Sequence, residues 1–412
     1  MVRTGRIALP LALAATLMAP AATARPAGPD AAGAGLEPVA SVAYSDGMHL
    51  AVTRIKGRDY VFASAATVTP GGGIRVFDVT DPARPKAVAS IPCSGGQGFL
   101  DVSHDGKTLI VGEGRPHPAD PCMPAEAIGF YNIDVSNPRK PKPIGFALGE
   151  RAGHHLDAHP TKPFVYLAHG DPALTSPSHL GSYEVWSIAN PAKPKLVTTA
   201  KVTGYHGPHD IAFTADGTRA VASSMTALQV LDTSDPAAPK ELEVLQCPGC
   251  SHNHEAHFTP DQKHVVVSDE TAGGAASPCP LGALYFYEWD ADPSPAQPEH
   301  MTLVGEWQPA EAVTPSGAPA NAPLCTSHVF GISSDGTKVA ASWHNAGVRV
   351  IDISEMSGVG IGAHGPGAKE LGWHVDAGAD AWSAKFDRTG RYVFVNDANL
   401  GFQVFRLTAA AR

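Results

Sequence analysis

The sequence lacks blocks of charge, contains few aromatic side chains and has no long apolar run beyond its N-terminus. Its 40 acidic and 30 basic residues give a net charge of −10 that is spread along the chain. This pattern argues against nucleic acid or an anionic membrane as a partner. No later segment reaches the roughly 18 consecutive apolar residues of a membrane span. No Gly-x-Ser-x-Gly element is present, so nothing supports a metal-free serine hydrolase.

Turn-forming residues are abundant instead. The chain has 42 Gly and 37 Pro, against 7% aromatic residues. This composition favours many short strands joined by tight turns over long helices.

The N-terminus is typical of a secretory signal peptide. Arg3 and Arg6 precede an apolar stretch at residues 7–18, which is followed by Ala22-Thr23-Ala24. We therefore predict a signal peptide at residues 1–24 and a periplasmic or secreted protein. The Gly/Ala/Pro-rich residues 25–35 predict a flexible leader, and residues 36–412 a single domain.

Two short units alternate along this domain. The first combines a strand with a Pro-bearing turn, and its clearest copies are IRVFDVTDPARPK at 74–86, GFYNIDVSNPRKPK at 129–142, YEVWSIANPAKPK at 183–195 and LQVLDTSDPAAPK at 228–240. The second is a hairpin with a tight turn such as Asp105-Gly106 or Asp335-Gly336. Together they predict four antiparallel strands per repeat, and seven repeats predict an all-β, seven-bladed β-propeller.

The last repeat has no room for a fourth strand. Residues 36–43, LEPVASVA, resemble the fourth strand of other repeats, such as PKAVASIP at 85–92. We predict that this N-terminal strand completes the seventh blade, which closes the ring and leaves no open sheet edge. The Asp-x-Ser/Thr-Asp/Asn-Pro-x-x-Pro units resemble the LVIVD-repeat propellers, a resemblance that implies the same fold.

One column of residues lies eight positions before each hairpin turn, at the start of every first strand. It contains His49, Gly98, His155, His209, His254, His328 and Trp382. Because first strands line the centre of a propeller, the five histidines predict a ring around its axis. Gly98 leaves a gap in that ring, which we predict to be the place where a substrate enters.

Imidazole nitrogen is a ligand suited to copper, iron or zinc. The column therefore predicts a transition-metal site formed by His49, His155, His209, His254 and His328, with the adjacent His154 as a further ligand. Asp210 and Glu255 directly follow ring positions, and we predict them as catalytic acid/base residues. Other acidic residues, among them Glu270, end second strands on the same face. Zinc with Glu255 would alternatively activate water for hydrolysis. A purely structural alternative also exists, because a repeated histidine can form hydrogen bonds within its own blade, as in WD-type propellers.

Two segments resemble the selenium-binding protein family, which includes copper-dependent methanethiol oxidases. They are the tandem His154-His155 and residues 332–354, where a strand, a Trp-His element and an Asp-Ile-Ser strand follow in the order of that family. The resemblance implies copper held by His154, His155 and His328, with His344 beside them. The family's cysteine-rich N-terminal region is absent here.

Six cysteines in an exported chain predict disulfides. We expect Cys93 to pair with Cys122. The partners of Cys247, Cys250, Cys279 and Cys325 stay open, and the Cys-x-x-C pair could also be a redox pair or a soft metal ligand.

These observations predict a metal-dependent oxidoreductase, similar to a thiol oxidase, that acts on a small molecule at the mouth of the channel. Copper is the first choice of metal, with iron or zinc as alternatives. A non-catalytic propeller that binds a protein or another ligand on one face is the competing hypothesis.

Overall fold

The computed structural model describes most of the chain after residue 31. The described residues are 32–66, 73–93, 99–113, 120–122, 124, 128–149, 155–169, 181–203, 207–247, 250–270, 282–296, 298, 300–309, 325–356 and 368–411. None of these residues forms a helix, and so none provides a helix that could cross a membrane. The described part of the chain is all-β, as its turn-rich composition predicts.

Seven antiparallel sheets follow one another along the chain and form a seven-bladed β-propeller. Blade one contains Gly47–Ile55, Arg58–Ala65, Ile74–Asp78 and Lys86–Ile91, and blade two contains Leu100–Val102, Thr108–Glu113, Gly129–Asp134 and Lys142–Leu148. Blade three contains His155–Ala158, Phe164–Ala168, Ser182–Ser187 and Lys195–Lys201, and blade four contains Asp210–Phe213, Arg219–Ser224, Ala227–Asp232 and Lys240–Gln246. Blade five contains Asn253–Phe258, His264–Asp269, Ala283–Trp289 and Met301–Trp307, and blade six contains Phe330–Ile332, Lys338–Ser342, Val348–Asp352 and Lys369–Val375. Blade seven contains Ala381–Phe386, Tyr392–Asp397 and Gly401–Leu407.

The N-terminal strand closes the ring, as predicted. Leu36–Val42 pairs with Gly401–Leu407, with Leu36 opposite Leu407 and Val42 opposite Phe402. Leu36–Val42 therefore becomes the outermost strand of the last blade.

The end of the predicted flexible leader is ordered. Ala32–Ala34 pairs with the outermost strand of blade six and makes it a five-stranded sheet. Gly35 then takes a positive φ of 69°, and a Cβ there would lie 2.1 Å from the carbonyl oxygen of Leu371. Only glycine permits this close passage from blade six to blade seven. Residues 25–31 of the predicted leader lie outside the described residues.

Burial decreases from the middle strands of each blade toward its outer edge. In blade two, every residue of Thr108–Glu113 is buried. The outermost strand of blade three, Lys195–Lys201, is largely exposed. The apolar side chains form seven separate core clusters, one between each pair of neighbouring blades. This packing fixes the positions at which the innermost strands start.

Candidate metal centre

Seven side-chain rings, one from each blade, form a circle where the innermost strands start. In blade order they belong to His49, Phe99, His155, His209, His254, His328 and Trp382. Centroids of neighbouring rings lie 3.3 to 4.8 Å apart from His49 round to Trp382. The circle closes with 6.4 Å between Trp382 and His49. All five histidines are at most 3% exposed, so they form a dry cluster of nitrogen donors.

Phe99 is the ring member that sequence reasoning missed. The column position in blade two is Gly98, which lies outside the described residues, and the next side chain along the chain takes part in the circle. Phe99 packs 3.9 Å from the ring of His49 and 3.3 Å from that of His155. The described part of the circle thus has an apolar ring where the sequence predicts an opening.

Three of the five ring histidines donate a hydrogen bond to the blade that follows their own. Nδ1 of His209 lies 2.8 Å from the carbonyl oxygen of His254, and Nδ1 of His328 lies 2.6 Å from that of Trp382. Nδ1 of His155 lies 3.3 Å from Oδ1 of Asp210 in blade four. A carbonyl or carboxylate oxygen accepts, so the hydrogen of each imidazole is on Nδ1 and its lone pair is on Nε2.

Two sets of donor atoms meet at His254. In the first, one nitrogen each from His155, His209 and His254 lie within 4.8 Å of one another. In the second, His254 and His328 are joined by a carboxylate oxygen of Glu270 within the same limit. Nδ1 of His254 is buried and has no hydrogen-bond partner among the described residues. Buried histidine clusters of this kind could hold a metal ion.

Burial keeps the central imidazoles neutral. It lowers the pKa of His254 well below its usual value, and the neighbouring His328, His209, His155 and His252 lower it further. Burial, together with the charge on His344, also lowers the pKa of His328 to about 4. At neutral pH both rings therefore keep a lone pair, which is the form that binds a metal.

Glu270 and His344 form a charged pair beside this neutral cluster. Nε2 of His344 lies 3.4 Å from Glu270, and its Nδ1 lies 2.8 Å from Asp380. Burial disfavours the charged imidazole, but these two carboxylates outweigh it and raise the pKa of His344 to about 9. Burial likewise opposes ionisation of Glu270, yet its histidine neighbours lower the pKa of this carboxyl to about 2. Sequence reasoning named Glu270 only as one of several carboxylates on this face.

The two predicted catalytic carboxylates occupy different surroundings. Asp210 contacts His155 directly, and burial is the main cause that raises its pKa to about 6. Glu255 forms its polar contacts with His257 at 2.9 Å, the backbone N–H of Phe330 at 2.9 Å and Lys385 at 3.5 Å. Asp210 is thus placed to orient a ring histidine, whereas Glu255 links blades five, six and seven.

One further histidine lies beside the ring. His252 packs 4.9 Å from His209, measured between ring centroids, whereas the predicted ligand His154 lies outside the described residues.

A cavity of about 420 Å³ lies between blades one, six and seven. Its lining includes Arg54, Asp387 and Tyr392 but none of the ring histidines.

The five cysteines among the described residues are oxidised. Cys93 bonds to Cys122, as predicted, and Cys247 bonds to Cys250 within the Cys-x-x-C segment. Cys325 is also disulfide-bonded, and Cys279 lies outside the described residues. These bonds are compatible with an extracellular protein.

Comparison with known proteins supports the fold and nothing more specific. The sequence matches no family model and no curated protein. In structure the chain is similar to the Swd1 β-propeller domain of Myceliophteria thermophila, with 10% identity over 90% of this chain and 100% of that domain and a TM-score of 0.60. It is also similar to a hydrazine synthase of Kuenenia stuttgartiensis, with 13% identity over 90% and 97% of the two chains and a TM-score of 0.59. A third similar structure is a 6-phosphogluconolactonase, so named provisionally, from Bacteroides uniformis, with 13% identity over 89% and 94% and a TM-score of 0.62. The fold and the ring together define a seven-bladed β-propeller with buried histidine clusters that could hold a metal ion.

Proposed function

We propose that this protein is an exported metalloprotein that binds copper or iron at the histidine ring and carries out redox chemistry on a small molecule there. The observation that supports this proposal is the orientation of the imidazoles. Three of them are fixed by a hydrogen bond from Nδ1, which leaves the lone pair on Nε2. In metal-binding histidines a hydrogen bond from the other ring nitrogen commonly fixes the imidazole in this way.

The purely structural alternative accounts for less. In its WD-type form each histidine bonds within its own blade, whereas His155, His209 and His328 bond to the next blade. These bonds link the blades, but they do not explain why three nitrogens from three blades converge within 4.8 Å. Burying a polar nitrogen without a partner, as at Nδ1 of His254, costs on the order of 1–3 kcal/mol. A bound cation would offset that cost.

The residues of the site would have separate roles in metal binding. His155, His209 and His254 would hold the ion, and Asp210 would keep His155 in the tautomer that binds. Phe99 and Trp382 flank the histidine arc and exclude water from it. When bound, copper or iron supplies an electron-transfer step that no side chain of this ring provides.

Copper is the preferred metal because neutral imidazoles dominate the donor set, and because of the resemblance to the selenium-binding proteins. Membership of the LVIVD-repeat family stays a prediction, and so do catalytic roles for Asp210 and Glu255. Location outside the cytoplasm rests on the predicted signal peptide.

The experiment is a measurement of metal content in protein exported to the periplasm and purified without chelator. We expect about one copper or iron per chain or more, and a loss of at least one ion per chain in His155→Ala and His209→Ala. The matched control is His300→Ala, since His300 stacks on Trp289 beside the outermost strand of blade five, whereas the ring histidine of that blade lies on its innermost strand. Bound metal is then reduced and reoxidised while its absorption is followed.

Two results would contradict the proposal in different ways. No bound metal, even after incubation with Cu(I), Cu(II), Fe(II) and Zn(II), would favour a binding platform without a metal. A tightly bound ion whose oxidation state cannot be changed, such as zinc, would leave metal binding intact and remove the redox function.

A further inference from the structure

The ring contains two donor sets of different chemistry that overlap in a single residue. The first, His155, His209 and His254, is all imidazole, and the second adds a carboxylate, with His254, Glu270 and His328. The sets have only His254 in common. Donors that bind one ion at about 2.0–2.2 Å lie within about 4.4 Å of one another, so each set needs only small side-chain movements to close around a cation.

His254 differs from its neighbours in the state of its two nitrogens. His209 and His328 each commit Nδ1 to a backbone carbonyl oxygen. Nδ1 of His254 is buried without a hydrogen-bond partner among the described residues, and its Nε2 lies 4.0 Å from Oε2 of Glu270. Both nitrogens of this one imidazole are therefore open to a ligand.

We infer that the ring binds two cations side by side, with His254 between them. This inference rests on the proposed function, because it takes the first ion at His155, His209 and His254 as given. The second ion is held by His254, His328 and Glu270. An imidazole that binds through both nitrogens does so as the imidazolate, so the second ion displaces the ring hydrogen of His254, which leaves as a proton to solvent.

The distribution of charge supports a second cation on this side only. The first set is neutral apart from Asp210, whereas Glu270 faces the second set directly. Asp380 lies one step further away, against Nδ1 of His344 at 2.8 Å. Glu270 and Asp380 carry two negative charges and the protonated His344 between them carries one positive charge. This side of His254 therefore keeps a net negative charge, which would offset part of the repulsion between adjacent cations, a repulsion that is strong in a site that excludes water.

The test is a titration of the full chain, stripped of metal and loaded with Cu(II), followed by gel filtration and measurement of copper per chain. We expect two copper ions in the wild type and one in Glu270→Gln. His328→Asn is a second route to the loss of the same ion if the first variant does not fold. The matched control is Glu288→Gln, an exposed carboxylate of blade five, which should retain two ions.

Electron paramagnetic resonance gives a second readout that is independent of activity. Two Cu(II) ions joined through one imidazolate couple magnetically, so the wild-type signal should integrate to fewer spins than its copper content. Glu270→Gln should give the full signal of one isolated ion. One copper per wild-type chain would overturn this inference and leave the proposed function standing. No bound copper would overturn this inference and would also remove copper from the proposed function. Two copper ions in both the wild type and Glu270→Gln would overturn the assignment to Glu270.

Discussion

At the scale of single residues, the site depends on what lies behind each imidazole. His209 and His328 are held by backbone carbonyl oxygens, but His155 is held by the side chain of Asp210. Among these three histidines, His155 is therefore the one whose orientation can be changed by substituting its partner's side chain, while every metal-binding nitrogen is kept.

We predict that Asp210→Asn weakens copper binding by about 10–100-fold, because the amide no longer selects the Nδ1–H tautomer of His155 with a full negative charge. Competition with a chelator of known affinity measures the change. Glu255→Gln is the matched control, since Glu255 also follows a ring histidine but bonds to His257, Phe330 and Lys385. Equal losses in the two variants would contradict the orienting role.

Asp397 is a buried carboxyl that ends the second strand of blade seven, and it makes stability depend on pH. Burial raises its pKa from 3.8 to about 7, against the backbone N–H donors of Asn399, Leu400 and Asp380. A carboxyl whose pKa is higher in the folded state stabilises that state fully below the unfolded pKa, and the contribution is lost as the pH rises through the folded pKa.

We therefore predict that the free energy of unfolding of the wild type falls between about pH 4 and pH 7 relative to that of Asp397→Asn. Urea unfolding of both proteins at pH 5 and pH 8 measures the difference. The same pH dependence in both proteins would show that another group is responsible.

At the scale of strands, the two N-terminal strands have unequal roles. Ala32–Ala34 adds only to the outer edge of blade six, whereas Leu36–Val42 completes blade seven and buries Leu36, Ala40 and Val42. The loss of the second strand removes apolar packing and exposes the edge of Gly401–Leu407.

Deletion of residues 25–43, with the signal peptide retained, should lower stability by on the order of 3–5 kcal/mol from lost apolar burial and promote association through the open edge. Deletion of residues 25–35 alone should have a small effect. Thermal unfolding and light scattering after gel filtration compare the two. A similar fall in melting temperature for both deletions would contradict the assigned role of the closing strand.

The strands also show where sequence reasoning succeeds and where it stops. Repeated turns eight residues after each ring position reveal the blades and place His49 and His155 at equivalent points, because each blade repeats the same geometry. The same register selects Gly98 in blade two, whereas the side chain in the circle is that of Phe99, just before the short strand Leu100–Val102. The sequence pattern does not reveal that the side chain in the circle is one residue further along the chain than the repeat predicts.

The sequence pattern predicts the contacts of the carboxylates less well than the positions of the histidines. Asp210 and Glu255 hold equivalent positions after a ring histidine, yet the shorter one reaches back to His155 and the longer one pairs with Lys385 of blade seven. Glu270 contacts His254, His328 and His344, which come from two blades. Such contacts depend on the packing of blades against one another, and sequence periodicity carries no information about it.

At the scale of the whole molecule, the donors come from different blades, so a bound ion joins parts of the chain that are distant in sequence. His155, His209 and His254 lie within one residue of the start of the first strands of blades three, four and five. The complete set of donors exists only when the blades are assembled, so an ion held there would bind the folded state and stabilise it.

We predict that copper at a hundred times its dissociation constant stabilises the folded protein by about 2.7 kcal/mol, seen as a higher melting temperature that a chelator reverses. In His155→Ala the rise should be strongly reduced, whereas His300→Ala should behave as the wild type. Calorimetry with and without copper makes the comparison. An equal rise in all three proteins would point to binding outside the ring.

The pairing of Leu36–Val42 with Gly401–Leu407 sets an order of events during biogenesis. Nearly the whole domain separates these two strands, so Leu36–Val42 is synthesised early but can pair only after Gly401–Leu407 has been synthesised. Until the C-terminus has emerged, blades one to six can form from neighbouring segments, but blade seven stays incomplete. Closing this longest loop is slow in comparison with pairing neighbouring strands. The ring is consequently sealed as a late step, once the entire chain has reached the compartment in which it folds.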